Sequence, residues 1–400
     1  MSEIDILKIE MQDILQNNIL SYWERNMIDS SNGGFYGRIT AMDKIMPEAD
    51  KGAILNTRIL WTFSAAYRLF GKKEYLEMAT RAKDYILQHF FDKEYGGIYW
   101  SLDYRGNPKD TKKQVYALGF AIYGMSEYFR ATGDKGALDC AISIFHSIEE
   151  HSFDKEKNGY CEALTREWDE IADMRLSEKD ANEKKTMNTH LHILEPYTNL
   201  YRVWKNDLLK TQLANLINVF IDKILDFGTN HLGLFFDEDW NPKSNIVSYG
   251  HDIETSWLLH EAAQVLGDED ILKKVEPLVP AIVKAASEGL RKDGSMIYEK
   301  DVTNGYLDRE LHWWVQAEAV VGYLNLYQHF NDEDALQKAF KTWDYIKSHF
   351  IDYVNGEWFW SIKADGSINR GENGDKAGFW KCPYHNARMC MEVFERFSTK

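Results

Sequence analysis

The stretches NGGFYG (32–37), YGGIYW (95–100), NGYCEA (158–163), LGLFFDE (232–238), DGSMIYE (293–299) and NGEWFWS (355–361) each place a glycine before aromatic and other apolar residues. From Gly34 through Gly97, Gly159, Gly233 and Gly294 to Gly356 the steps are 63, 62, 74, 61 and 62 residues. A period of this size is the mark of one supersecondary unit used repeatedly, here six times. Between glycine turns lie two patterns of apolar residues at three- and four-residue intervals, with charged residues on the other face, so each unit predicts two amphipathic helices. The twelve expected spans are 4–24, 52–69, 73–90, 112–132, 135–150, 185–204, 208–226, 251–266, 269–288, 311–329, 333–349 and 381–396. Segments such as GIYWSLD (97–103) and GEWFWSI (356–362) read as brief strands or hairpins that join one helix pair to the next on one face.

Six helix pairs either stack as an open solenoid or close into a ring. Two features favour closure: neither terminal repeat looks like a polar cap, and every second helix carries polar and aromatic residues near its N-terminus. The expected architecture is all-α, twelve helices in six hairpin repeats forming one domain over residues 1–400, with no linker to divide it. The one long step contains a charged insertion, REWDEIADMRLSEKDANEKK (165–184), expected as a surface loop at the mouth.

The formal net charge of −16 argues against nucleic acid or an acidic membrane as partner, because like charges repel before contact. A neutral or cationic small ligand fits better. With 13 Trp, 22 Tyr and 20 Phe, the chain is rich in the rings that pack on sugar C–H faces. Cys140, Cys161, Cys382 and Cys390 lack C-x-x-C or zinc-ligand spacing and read as reduced thiols. The N-terminus has acidic residues where a secretory signal needs a basic start, and no later run is apolar enough to span a bilayer. A cytoplasmic protein, monomeric or weakly dimeric, is expected.

If every second helix lines the ring, the segments ILNTRILW (54–61), QVYALGF (114–120), MNTHLHILEPY (187–197), YGHDIETSWLL (249–259), HWWVQAEA (312–319) and WKCPYHNAR (380–388) converge on one cavity. Asn188 and His192 are four apart and share a face, whereas His190 is rotated by about 200° from His192 and points elsewhere. His251 and Glu254 are three apart, so this carboxylate is expected to orient the imidazole or hold a hydroxyl beside it. Trp314 and Glu318 are four apart, Trp380 and His385 open the last helix, and Arg58 and Tyr116 complete the set. Each has an ordinary structural use on its own. Their recurrence at equivalent phases of six helices is what points to a site. Neither H-x-H (190–192) nor H-x-x-E (251–254) makes a complete ligand set, so no metal is expected, and no phosphate-binding or dinucleotide motif appears.

Taken in order, NTR (56–58), MNTHLHILEPY, YGHDIETSWLL, WWVQAEA (313–319) and WKCPYHNAR resemble the N-acylglucosamine 2-epimerase superfamily, and within it the cellobiose 2-epimerase group, over nearly the whole chain. The resemblance implies an (α/α)6 barrel. It also implies cofactor-free and metal-free epimerisation at C2 of the reducing-end glucose of a β-1,4-linked disaccharide, cellobiose and lactose included. By position, His251 and His385 match the general acid/base pair, and His192 matches a third histidine that assists ring opening. Arg58, Tyr116, Asp180, Asn188, Glu254 and Glu318 would surround the sugar, with Trp314 and Trp380 stacking on it. The alternatives within this frame are an N-acetylglucosamine 2-epimerase or an aldose–ketose isomerase acting on mannose or glucose. A glycoside hydrolase on the same barrel would use a carboxylate pair such as Glu254 and Glu318.

Overall fold

A computed structural model describes residues 2–398. The first helical position is one continuous rod, α1 (Glu3–Asp13), a π-helical stretch Ile14–Leu20, and α2 (Ser21–Asn26). There follow α3 (Ala53–Phe70), α4 (Lys73–Tyr85), α5 (Val115–Thr132), α6 (Lys135–His151), α7 (Met187–Val203) and α8 (Asp207–Val219). Next come α9 (Tyr249–Leu266), α10 (Glu269–Val275), α11 (Leu278–Ala286), α12 (Trp313–Phe330), α13 (Glu333–His349) and α14 (His385–Arg396). The expected span 269–288 is two helices, α10 and α11, on either side of Pro277, whose ring cannot continue the hydrogen-bond ladder.

Helices α3, α5, α7, α9, α12 and α14 form an inner ring. Each packs on the next, and α14 returns to α3, which closes the barrel. Inner helices are buried nearly all round, polar side chains included: Ala53 through Ala66 of α3 are buried without interruption, Asn56, Thr57, Arg58, Thr62 and Ser64 among them. Outer helices bury a stripe only; in α4 it is Tyr75, Met78, Ala79, Ala82 and Tyr85. The two layers meet in tight turns. Inner helices α3, α5 and α9 end on left-handed Gly71, Gly133 and Gly267, and Asp134, Asp268 and Asp332 cap the outer helices that start next.

All six turns are closed by an antiparallel bridge: Ile28 to Phe35, Phe91 to Ile98, Phe153 to Tyr160, Leu225 to Leu232, Leu290 to Met296 and Ile351 to Trp358; in the fourth, left-handed Asn230 stands in the turn and Gly233 lies just beyond it. The chain reaches the N-termini of α3, α5, α7, α9 and α12 through a two- or three-residue strand. These strands stitch one repeat to the next: Lys51–Gly52 pairs with Ser101–Leu102, Lys113–Gln114 with Ala163–Leu164, and Lys185–Thr186 with Phe235–Phe236. Ile246–Ser248 pairs with Glu299–Asp301, Leu311–His312 with Ser361–Ile362, and a bridge between Ile39 and Ala377 completes the circle. The stitches gather around the mouth, as the sequence predicted.

Under the turns lies a feature the sequence reading did not anticipate. Lys51, Lys113, Lys185 and Lys376, each just before an inner helix or its lead-in, reach back to Asp29, Asp92, Asp154 and Asp352 at 2.9, 2.8, 2.8 and 2.9 Å. Each aspartate also accepts backbone N–H groups of its own turn, so the pair fastens turn to helix. At the far end, Trp61 stacks on Tyr123, and the buried Glu127 binds Arg68 and Arg130, which closes the floor. Among the described residues no helix is long and apolar enough to cross a membrane.

Candidate active site

The first turns of the six inner helices enclose a cavity of about 940 Å³. Arg58, Tyr116, Asn188, His192, His251, Glu254, Trp314, Trp380 and His385 line it, so nine expected residues meet at one place; Trp380 does so from the non-helical segment before α14, which begins at His385 and not at 381. The insertion is pinned at its start, where Arg166 binds Asp92 at 2.9 Å and the Trp168 indole N–H donates to the Tyr95 carbonyl at 2.7 Å. Its later part folds over the mouth and brings Asp180 to the cavity, where that carboxylate accepts the N–H and O–H of Ser177.

Four histidines line the cavity; His312 packs edge-on against Tyr298, and the other three share one geometry, each ring tied back through Nδ1. His192 Nδ1 lies 3.2 Å from Glu195 Oε2, His251 Nδ1 2.8 Å from Ser248 Oγ, and His385 Nδ1 2.7 Å from Glu318 Oε1. In each ring Nε2 makes no hydrogen bond to the described residues. Local sequence explains the placements. Ser248 is the N-cap of α9, one turn before His251. In α7, Pro196 has no N–H for the His192 carbonyl, and Gly119 of α5 approaches that oxygen so closely that a Cβ would lie 2.2 Å from it. The close approach sets His192 against the rings of Tyr116 and Phe120, at centroid distances of 4.8 and 5.1 Å. His251 and His385 both pack on the Trp314 indole, at 4.9 and 5.5 Å. His190 faces the other way: its Nδ1 bonds the Thr186 carbonyl and its Nε2 accepts the Tyr160 N–H, pinning the third glycine turn.

Burial drives the imidazoles toward the neutral form. It lowers His251 to about 3 from its ordinary 6.5, depresses His192, and with the Arg58 charge holds His385 well below the usual range. Arg58 itself is buried and donates to the Tyr116 hydroxyl at 2.8 Å. Its guanidinium carbon stands 4.2 and 4.6 Å from the ring centroids of Phe120 and Tyr384. Arg58 Nε and Asn188 Oδ1 are left without partners.

Two expectations need correction. Glu254 does not orient His251, because its Oε1 accepts from Arg388 Nη2 at 2.7 Å and Ser248 does the orienting. Glu318 stands behind the cavity wall instead of on it, fully buried, with oxygens taken by His385, by Arg388 at 2.6 Å and by the Trp257 indole N–H at 3.0 Å. Arg388, missed in the sequence, is the hub: it also binds Glu195, which accepts the Tyr384 hydroxyl. Glu254, Glu318 and His385 bring ligand atoms within 4.8 Å of one another, as a metal site would require. The Arg388 guanidinium already holds the cationic position between those two carboxylates.

The class follows: a closed (α/α)6 barrel whose histidines present Nε2 to an aromatic, polar cavity, an arrangement for acid–base chemistry on a small neutral ligand. The chain belongs to the N-acylglucosamine 2-epimerase (GlcNAc 2-epimerase) family, which it matches over residues 34–387, and this places it among the carbohydrate epimerases. It is 66% identical over 389 residues to a cellobiose 2-epimerase of Bacteroides fragilis, covering 97% of this chain and 99% of that protein. It is 41% identical to a cellobiose 2-epimerase of Ruminococcus albus, over 97% and 98% of the two chains. The solved cellobiose 2-epimerase of Bacillus thermoamylovorans superposes with a TM-score of 0.94 at 42% identity, over 98% of this chain and 100% of that one.

Proposed function

We propose that this chain inverts C2 of the reducing-end glucose of β-1,4-linked disaccharides, turning cellobiose into its mannose-ended epimer and acting on lactose in the same way. The observation that carries the reading is the display of three Nε2 atoms, from α7, α9 and α14, into one cavity beside a buried arginine. The two highly similar relatives support the choice of disaccharide.

C2 of a closed pyranose has no carbonyl beside it, so the ring must open first, and His192 is placed to move the hemiacetal proton. In the aldehyde form one of His251 and His385 takes the C2 proton on Nε2. The C–H electron pair becomes the C1–C2 double bond, and the carbonyl pair moves onto O1. Arg58 stabilises that oxyanion in a site where water does not screen it. The other histidine returns a proton to the opposite face of C2, the C1 carbonyl re-forms, and the ring closes. Imidazole suits both roles because its ordinary titration lies near neutrality. Trp314 and Trp380 offer ring faces to the sugar, with Tyr116, Asn188, Asp180 and Glu254 as hydroxyl partners. No step calls for a metal or cofactor. A hydrolytic reading needs two carboxylates facing each other across a bond; Glu254 and Glu318 instead share one guanidinium nitrogen.

The test is incubation with cellobiose, lactose, N-acetylglucosamine and mannose, followed by separation of products. An intact disaccharide with mannose at its reducing end is expected. Free glucose, or turnover of the monosaccharides alone, contradicts the proposal.

A further inference from the structure

Three carboxylates meet one guanidinium behind the cavity wall. Arg388 Nη2 lies 2.7 Å from Glu254 Oε1 and 2.6 Å from Glu318 Oε1, while its Nη1 binds Glu195 Oε1. All four side chains are nearly inaccessible to solvent. One positive charge cannot hold three buried negative charges in so small a volume, so a proton must reside among them. Glu195 is the wrong place for it, since its two oxygens accept from Arg388, Tyr384 and His192. The pair left is Glu254 and Glu318, whose Oε1 atoms converge on the same nitrogen and lie 3.9 and 2.7 Å from His385 Nδ1.

We propose that Glu254 and Glu318 share one proton under Arg388 and serve as the proton store of His385, deciding whether its Nε2 turns a lone pair or an N–H to the sugar. The inference rests on the epimerase reading above and names the control of its proton transfers. With Glu318 ionised, His385 donates Nδ1–H to it and Nε2 is a base; the C2 proton ends on Nε2, and the imidazolium rests against the carboxylate. With Glu318 protonated, its O–H donates to Nδ1 and the hydrogen sits on Nε2. Delivery of that hydrogen to C2 then draws the carboxyl proton onto Nδ1, which leaves a neutral imidazole, an ionised Glu318 and a neutral sugar. Glu254, beside both, sets how readily Glu318 gives its proton up. His251 has no such store, since its Nδ1 meets only the hydroxyl of Ser248.

The charged and titratable groups around the pair are His385 and Arg388 of α14, Tyr384 just before it, Glu195 and His192 of α7, His251 of α9, Arg58 of α3 and Tyr116 of α5. Burial and then the Glu318 charge push Glu254 up to about 8, and Glu318 is raised as well, in keeping with a shared proton at neutral pH. His385 and Glu318 make the same contact as the histidine and buried aspartate of a hydrolase triad, with the difference that here the carboxyl group also holds a proton.

The experiment compares the intact protein with Glu254→Gln and Glu318→Gln. Carboxyl-carbon NMR of glutamate-labelled protein should show a group titrating near pH 8 in the wild type, absent from Glu254→Gln. The basic limb of kcat against pH should follow it, moving down by about one pH unit or more in Glu254→Gln. A wild type with no carboxyl titrating near pH 8, or a Glu254→Gln profile superimposable on wild type, overturns the proposal. Should Glu254→Gln unfold, Glu318→Gln is read in the same way, its high titration lost and its histidine nitrogen signals altered at His385. The titration needs no turnover. A wild type that titrates as described yet leaves cellobiose unchanged would therefore sink the epimerase reading and leave the shared proton standing.

Discussion

Two of the buried charge networks within this barrel are built on different principles. Beneath the glycine turns, in four of the six repeats, Lys51, Lys113, Lys185 and Lys376 each match one aspartate, and Arg166 adds a second cation at Asp92. Beneath the cavity, Arg388 meets Glu195, Glu254 and Glu318, one cation to three anions, once only. The first is repeated and balanced, as a fastening should be. The second breaks the repeat and is out of balance, a costly arrangement in a buried place that a fold alone has no use for. This departure from the repeat coincides with the proposed site of chemistry.

The contrast is broken most sharply at the histidines. His251→Ala or His385→Ala should lower kcat on cellobiose by about 10²–10⁴-fold. Their melting temperatures should stay close to wild type, as measured by circular dichroism. Next in size is Arg388→Lys, which keeps the charge but loses the planar fork that aligns the carboxylates. A drop of about 10² in kcat with a modest change in KM is expected from steady-state kinetics. Lys51→Met should do the reverse: it leaves Asp29 buried and unpaired, costs about 3–5 kcal/mol in denaturant unfolding, and spares kcat per folded molecule.

The smallest effect is one of sign. Asp29, Asp92, Asp154 and Asp352 titrate below their unfolded value of 3.8 despite burial, because lysine and backbone N–H groups hold them ionised. Their contribution is complete above that value and is lost as the pH falls through the folded one. Glu254 is opposite: its folded value of about 8 lies above 4.5, so its contribution is complete below 4.5 and is lost as the pH rises toward 8. Melting temperature against pH should show the alkaline slope flattened in Glu254→Gln, and the acid slope flattened in Asp352→Asn.

The glycine period and the helical phases were enough to place five hairpins, the two terminal helices that pair to close the ring, and eight cavity residues, because both are local properties of the chain. His190 and His192 were correctly divided by rotation alone. What stayed hidden depends on distant partners. Glu254 is three residues from His251 but 134 from Arg388, and spacing along one helix does not reveal which contact wins. Arg388 stood inside a recognised motif with no visible job, since its partners come from three other helices. The lysine–aspartate pairs did leave a trace: Asp29, Asp92 and Asp154 each precede a repeat glycine by five residues. Pro277 was a visible break in the span read as one helix.

On the proposed mechanism, imidazoles exchange the C2 hydrogen with solvent while the disaccharide stays whole. Running the wild-type protein on cellobiose in D2O and reading the product by proton NMR tests it directly. Deuterium at C2 of the mannose-ended product, and at no other carbon, is predicted; product formed with its C2 proton retained in full would contradict the account.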